Sequence, residues 1–314
     1  MFKKFIYILF SISLTLGSFL GTTVAQQTST EESENSTTQS QETAPTSDID
    51  SSETPAKTAD KITINPPVAL IDQFEQDIKN SVDETLVKPM LAGTEDFLTI
   101  TQPDTHSSDK GVAILLPEWS QPATDVKAIN FLRQNLPSQG WTTITLQPIA
   151  KPENYPSLAQ KHSEAIEENQ KTLDEYQNKL APLMTAVMEK AADYPGIFLV
   201  IAQGNNAAVL MNLYQQEKVE KPNAFITLSA HMLTSADNQQ LANVMAESEI
   251  PVLDVVLKKD LTWITHFAPL RKKLAQKELK PYYRQRTLTN FRTGYYPEQH
   301  LAKEIKGWLT TIGW

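Results

Sequence analysis

Five runs of mostly apolar residues, GVAILLP (111–117), WTTITLQP (141–148), GIFLVIAQ (196–203), AFITLSA (224–230) and PVLDVVL (251–257), constrain this chain more than anything else in it. Each is short enough to be one strand, and the first, GVAILLP, is too continuously apolar to leave one face in water. Runs of that kind are strands covered on both sides. The spacers between them are long enough to carry helices. Thr124 stands where it can cap a helix whose apolar positions are Val126, Ile129, Phe131, Leu132 and Leu136, and Gly140 ends that unit. Further helices are expected over 205–218 and 238–248, with an amphipathic one over 297–311. YYRQRTL (282–288) is the expected last strand, and EDFLTIT (95–101) is expected to pair antiparallel at the sheet edge. Alternation of this kind predicts an α/β fold, a mostly parallel sheet with helices on both faces.

One segment exceeds what that architecture needs. Residues 157–192 carry Leu158, His162, Ile166, Leu173, Tyr176, Leu180, Leu183 and Val187 at helical spacing, and Pro182 is expected to break them into two helices. This extended helical insertion is either a layer helix with a short partner or a lid over a pocket.

The N-terminal residues do not belong to the globule. Residues 1–25 place Lys3 and Lys4 before an uncharged apolar run that ends in Thr23-Val24-Ala25, the pattern of a secretory signal peptide cleaved after Ala25. The alternative is a retained anchor. Residues 26–60 hold eight acids, one lysine and little that is apolar, which predicts a disordered acidic linker. The full-chain charge is −9. Removing the +2 of the leader and the −7 of the linker leaves −4 for 61–314, a poor balance for nucleic-acid binding. The sequence contains no cysteine, which excludes disulfides, thiolate nucleophiles and thiolate metal sites. No dinucleotide or phosphate-loop glycine pattern and no histidine pair at metal-ligand spacing is present, so no cofactor and no metal is expected. An exported protein, periplasmic or held in the cell envelope, is the expectation.

The stretches GVAILLPEWSQPATDVKAINFLRQNLPSQGWTTITLQP, IFLVIAQGNNAAVL, IPVLDVV and YYRQRTL, with IKGWL near the end, together resemble the α/β-hydrolase superfamily. More narrowly, they are similar to a bacterial branch known as a domain of unknown function. The resemblance implies four positions for chemistry. The nucleophile belongs on the strained turn between a central strand and its helix, as G-x-S-x-G. Here the turn reads Ala202-Gln203-Gly204-Asn205-Asn206, and Gly204 has no atom that can attack a carbonyl. An oxyanion donor belongs after the first core strand, where this chain has Pro117, without an N–H, and the acid Glu118. The acid after a later strand falls on Asp260, while Asp254 inside that strand reads as structural. The base after the last strand falls on His300.

Gly204, Asp260 and His300 therefore form a relict triad without its nucleophile. The leading reading is a non-catalytic envelope protein that binds a small molecule or an envelope protein in the crevice above the strand ends, through Trp119, Gln203 and Asn205. The alternative is a serine esterase or amidase with a displaced nucleophile, Ser229 (two positions before His231) or Ser120. A third reading places binding on the 157–192 insertion. Arg271, Lys272, Lys273, Arg284 and Arg286 are candidates for contact with anionic envelope components, against the plainer reading of a solvated helix face followed by an edge strand.

Overall fold

In the computed structural model, residues 66–314 are described; the leader and the linker lie outside them. The five apolar runs become β3 (Gly111–Leu116), β4 (Trp141–Leu146), β5 (Ile197–Gln203), β6 (Ala224–Leu228) and β7 (Val252–Leu257). Every residue of β3, β4, β6 and β7 is buried. Three more strands, β1 (Val87–Ala92), β2 (Glu95–Gln102) and β8 (Arg284–Leu288), complete one sheet in the order β1-β2-β4-β3-β5-β6-β7-β8. From β4 to β8 all pairings are parallel, with Ile114 opposite both Ile144 and Val200, and Ile226 opposite Leu253. β2 is antiparallel to β4 as expected, but it is not the edge. β1 folds back on it in a hairpin and takes that place.

The helices are α1 (Leu70–Ser81), α2 (Ala128–Asn135), α3 (His162–Ala191), α4 (Gly204–Gln215), α5 (Ser235–Glu247), α6 (Thr262–Lys277) and α7 (Glu298–Thr311). Successive strand residues point to opposite faces, and the two faces build two cores. Val112, Ile114, Ile144, Val200 and Phe225 pack with α3, α4 and α5. Ala113, Leu115, Leu199, Ile201, Ile226 and Val255 pack with α2 and α7. Gly140 ends the turn after α2 at φ 90°, where its N–H closes onto Leu136 and Pro137 carbonyls.

Two local expectations fail for identifiable reasons. Thr124 caps nothing: α2 begins only at Ala128, with Lys127 as its non-helical neighbour. Pro182 does not break α3, which runs unbroken for 30 residues. The proline ring is exposed, so the carbonyl it leaves without a donor faces water, while buried Leu180, Leu183, Met184 and Val187 hold the helix on the sheet. Among the described residues no helix is long and apolar enough to cross a membrane.

Candidate functional site

The chain leaves β3 to β4 on one side and returns from β4 to β5 on the other, so the carboxyl ends of β3 and β5 flank the point where strand order reverses. Open α/β sheets place their sites there. β5 ends at Gln203 in extended backbone, and Gly204 then turns at φ +58° into the first residue of α4. This is the strand-turn-helix the sequence implied. A glycine holds the left-handed conformation without the penalty a side chain would carry.

The loop after β3 determines what sits above that turn. The Asn206 amide donates to the Pro117 carbonyl at 2.7 Å, and its own oxygen accepts from the Tyr176 hydroxyl of α3 at 2.6 Å. Trp119 is wedged edge-on against Tyr155 and Tyr176, with ring centroids 5.9 and 5.6 Å away. With its neighbours pinned on both sides, Glu118 extends over Gly204. A Cβ built on Gly204 would lie 2.6 Å from Glu118 Cδ, 2.7 Å from Cγ and 2.9 Å from Oε2. The carboxylate therefore fills the space a nucleophilic side chain needs. It accepts from Gln121 Nε2 at 3.3 Å and stands 3.9 Å from His231 Nε2. Burial raises its pKa; the charges of His231 and Lys127 offset part of that rise, Asp260 adds to it, and the net shift is upward.

A second polar group lies beyond it. Ser229 follows β6 at φ 53°, and its hydroxyl donates to Asp260 Oδ2 at 2.5 Å. With that proton committed, the Tyr296 hydroxyl, also 2.5 Å away, is the donor to Ser229 Oγ. Asp260 further accepts the backbone N–H groups of Leu257 and Leu261. Burial, with the Asp260 charge beside it, pushes the Tyr296 phenol far above its ordinary range. The His231 ring faces the Ser229 carbonyl through Nδ1 at 3.0 Å and makes no bond to its hydroxyl. Asn205 donates to the His231 carbonyl at 2.9 Å.

The sequence-derived positions divide accordingly. Gly204 and Asp260 sit at the strand ends as expected. His300 is an exposed residue of α7, 3.6 Å from Glu304, and makes no hydrogen bond or ion pair with Asp260. Tyr296, in the loop between β8 and α7, reaches the group instead. Trp119, Gln203 and Asn205 do not line an open crevice: they are 3, 4 and 1% exposed. Gln203 Oε1 and Asn205 Oδ1 have no hydrogen-bond partner. Five cavities of about 260 to 570 Å³ open elsewhere, and none of these is lined by Gly204, Glu118, Ser229, His231, Asp260 or Tyr296. Ser120 is exposed. Among the described residues no group of three His, Asp or Glu side chains is placed to hold a metal.

The basic segment is also divided. Arg271 is fully buried on Asp254, with Nε at 2.8 Å and Nη2 at 3.2 Å, so it is no surface cation. Thr227, Tyr283 and Gln285 also donate to Asp254. Burial works to raise the Asp254 pKa, but the Arg271 charge and these bonds outweigh it and hold the carboxyl below its usual range. Arg286 pairs with Glu304 at 2.9 Å, Arg284 is half-buried, and Lys272 and Lys273 are exposed.

The profile of the family described as "Protein of unknown function (DUF3530)" matches residues 7–311. No curated protein sequence matches this one. Among solved structures, Est1E from Butyrivibrio proteoclasticus is similar, with a TM-score of 0.51 and 10% identity, over 72% of this chain and 98% of that one. The same protein with ferulic acid bound gives a TM-score of 0.52 over 71% of this chain and 98% of its own. The esterase domain of a Rhodothermus marinus protein gives a TM-score of 0.49 at 10% identity, covering 71% of this chain and 96% of that one. At such identities the likeness to Est1E establishes the fold, that of an α/β-hydrolase.

Proposed function

This chain belongs to the DUF3530 family, and from that premise we propose that it is an exported envelope protein that keeps the α/β-hydrolase fold for binding and not for elbow chemistry. One observation carries the reading: the Glu118 side chain occupies the space above Gly204 in which a nucleophile would stand. Two further features support it. Tyr296 is the residue that reaches Asp260 from the loop after the last strand, and a phenol held far above its ordinary range keeps its proton at neutral pH and is no general base. The Asp260 carboxylate is already engaged by a hydroxyl and two backbone N–H groups, so it orients no imidazole. Export rests on the N-terminal leader in the sequence.

A displaced-nucleophile hydrolase is the competing reading, and the positive φ of Ser229 with its bond to Asp260 is the observation in its favour. Against it, Ser229 is 7% exposed and its hydroxyl proton points at a carboxylate, while the His231 ring bonds the Ser229 carbonyl and not its hydroxyl. Treating the purified, exported protein with a fluorophosphonate separates the two. Intact mass is expected to show no adduct on the folded protein, with an N-terminus at residue 26. A stoichiometric adduct mapped to Ser229 or Ser120 would overturn the non-catalytic reading.

A further inference from the structure

The loops that follow β7 and β8 share one outward surface. Leu261 is 45% exposed, Tyr295 40% and Phe291 97%. A single exposed apolar side chain is ordinary; three on two loops that are tied to each other are not. Asn290, itself buried, accepts the Lys259 N–H at 2.8 Å and donates to the carbonyls of Lys259 at 2.8 Å and Arg292 at 2.6 Å, which fastens one loop to the other. Lys259 Nζ reaches the Phe291 carbonyl at 3.4 Å, and the Arg292 guanidinium lies 4.8 Å from the centre of the Tyr295 ring. Phe291 is thus presented at the tip of a tied loop.

The charge of this surface has one sign. Lys258, Lys259 and Arg292 are all exposed, and none of the three is in an ion pair among the described residues. The stretches KKDL (258–261) and TNFRTGYY (289–296) contain one acid, Asp260, and its carboxylate is turned inward onto Ser229 and two backbone N–H groups. Cations around an outward aromatic tip match a surface that is anionic outside and apolar just beneath, which is the headgroup layer of a bilayer.

We propose that the Leu261–Phe291–Tyr295 surface docks this protein on an anionic lipid membrane, with Phe291 entering the headgroup layer and Lys258, Lys259 and Arg292 on lipid phosphates. This surface is separate from the elbow and holds whether or not the elbow is silent. It requires only that the exported chain meets a membrane. Charge complementarity selects lipid over a protein partner, since the apolar part is a tip and not a groove.

The test is co-sedimentation of the full exported protein with vesicles of phosphatidylglycerol and phosphatidylcholine in equal parts, against phosphatidylcholine alone. Binding to the anionic vesicles only, weakening as salt is added, is the expected result. Arg292→Ala is expected to weaken it about fivefold, the share of one cation at an anionic surface, and Phe291→Ser about tenfold or more from lost apolar burial. Both side chains are exposed, so thermal melting confirms that the variants fold. Lys272→Ala with Lys273→Ala, nearly three turns further along α6, leaves binding unchanged. Loss of binding in that control equal to the loss in Arg292→Ala would mean general charge attraction and overturn the proposal. So would unaltered binding by Phe291→Ser, or no binding by the unmodified protein, which would return this surface to a protein partner.

Discussion

Replacing Gly204 by alanine puts a methyl group where Glu118 now lies, and the cost divides into two parts that can be measured separately. At φ +58° a residue with a Cβ pays about 1–2 kcal/mol for the left-handed backbone. The added Cβ also falls 2.6 and 2.7 Å from Glu118 Cδ and Cγ, closer than real carbon contacts come, so the glutamate must be displaced. Its two neighbours in the loop are held by Asn206, Tyr155 and Tyr176, so relief comes from rotation of the Glu118 side chain itself, at the loss of its contacts with Gln121 and His231. Overpacking of this kind costs about 1–3 kcal/mol. Gly204→Ala is therefore expected to destabilise the protein by about 2–5 kcal/mol in total. Glu118→Ala removes the atoms in conflict, so in that background the same substitution should cost only the backbone share. The coupling between the two sites is then about 1–3 kcal/mol, well above what independent positions show. Urea unfolding followed by tryptophan fluorescence measures all four corners, and an unchanged slope with denaturant validates the comparison. Costs that add within about 0.5 kcal/mol would show that Glu118 swings freely away and does not fill the elbow.

Two further outcomes follow from charges in the same half of the molecule. Because the Glu118 pKa is raised in the folded state, the folded protein binds that proton more tightly than the unfolded chain does. The ionised carboxylate then costs stability above its folded pKa, and the cost fades as pH falls to the ordinary glutamate range. Glu118→Gln should raise the melting temperature at neutral pH and give no advantage below about pH 4; a gain confined to acid pH would contradict the assignment. Breaking the fully buried Asp254–Arg271 pair with Asp254→Ala should cost about 3–5 kcal/mol in urea unfolding, because a buried guanidinium loses its partner. Replacing both residues together, Asp254→Leu with Arg271→Met, should recover most of that loss.

The central sheet is legible because strands covered on both faces are rich in apolar and β-branched residues: β3 and most of β5 are continuous apolar runs, and β4, β6 and β7 are interrupted only by threonines and Asp254. The periphery is not. β1 reads VKPMLA, half-exposed and interrupted by Pro89, and only its hairpin with β2 makes it a strand. α1 buries just Phe74 and Ile78, too few apolar positions to stand out. The segment from Arg271 reads as a basic surface because charge in a sequence does not reveal burial. The partner that draws Arg271 inside, Asp254, lies on a different element, and the pairing exists only once α6 is laid against β7.

At the site, positions were legible and occupants were not. Gly204 and Asp260 follow strands directly, so the turn places them. His300 matches by residue type alone, and the loop after β8 delivers Tyr296 instead. The contact between Glu118 and Gly204 joins two loops through Asn206, which no spacing along the chain encodes. Yet these two residues explain each other. A serine at the elbow must be held at positive φ, a strain that active hydrolases carry for the sake of an exposed nucleophile. Glycine releases that strain while the turn keeps its shape, and it leaves a space the size of a side chain at the carboxyl end of β5. An empty space there would cost packing, and Glu118 fills it. Serine at this turn would need Glu118 to rotate away, and glycine without Glu118 would leave that space unfilled; the pair present in this chain meets neither cost.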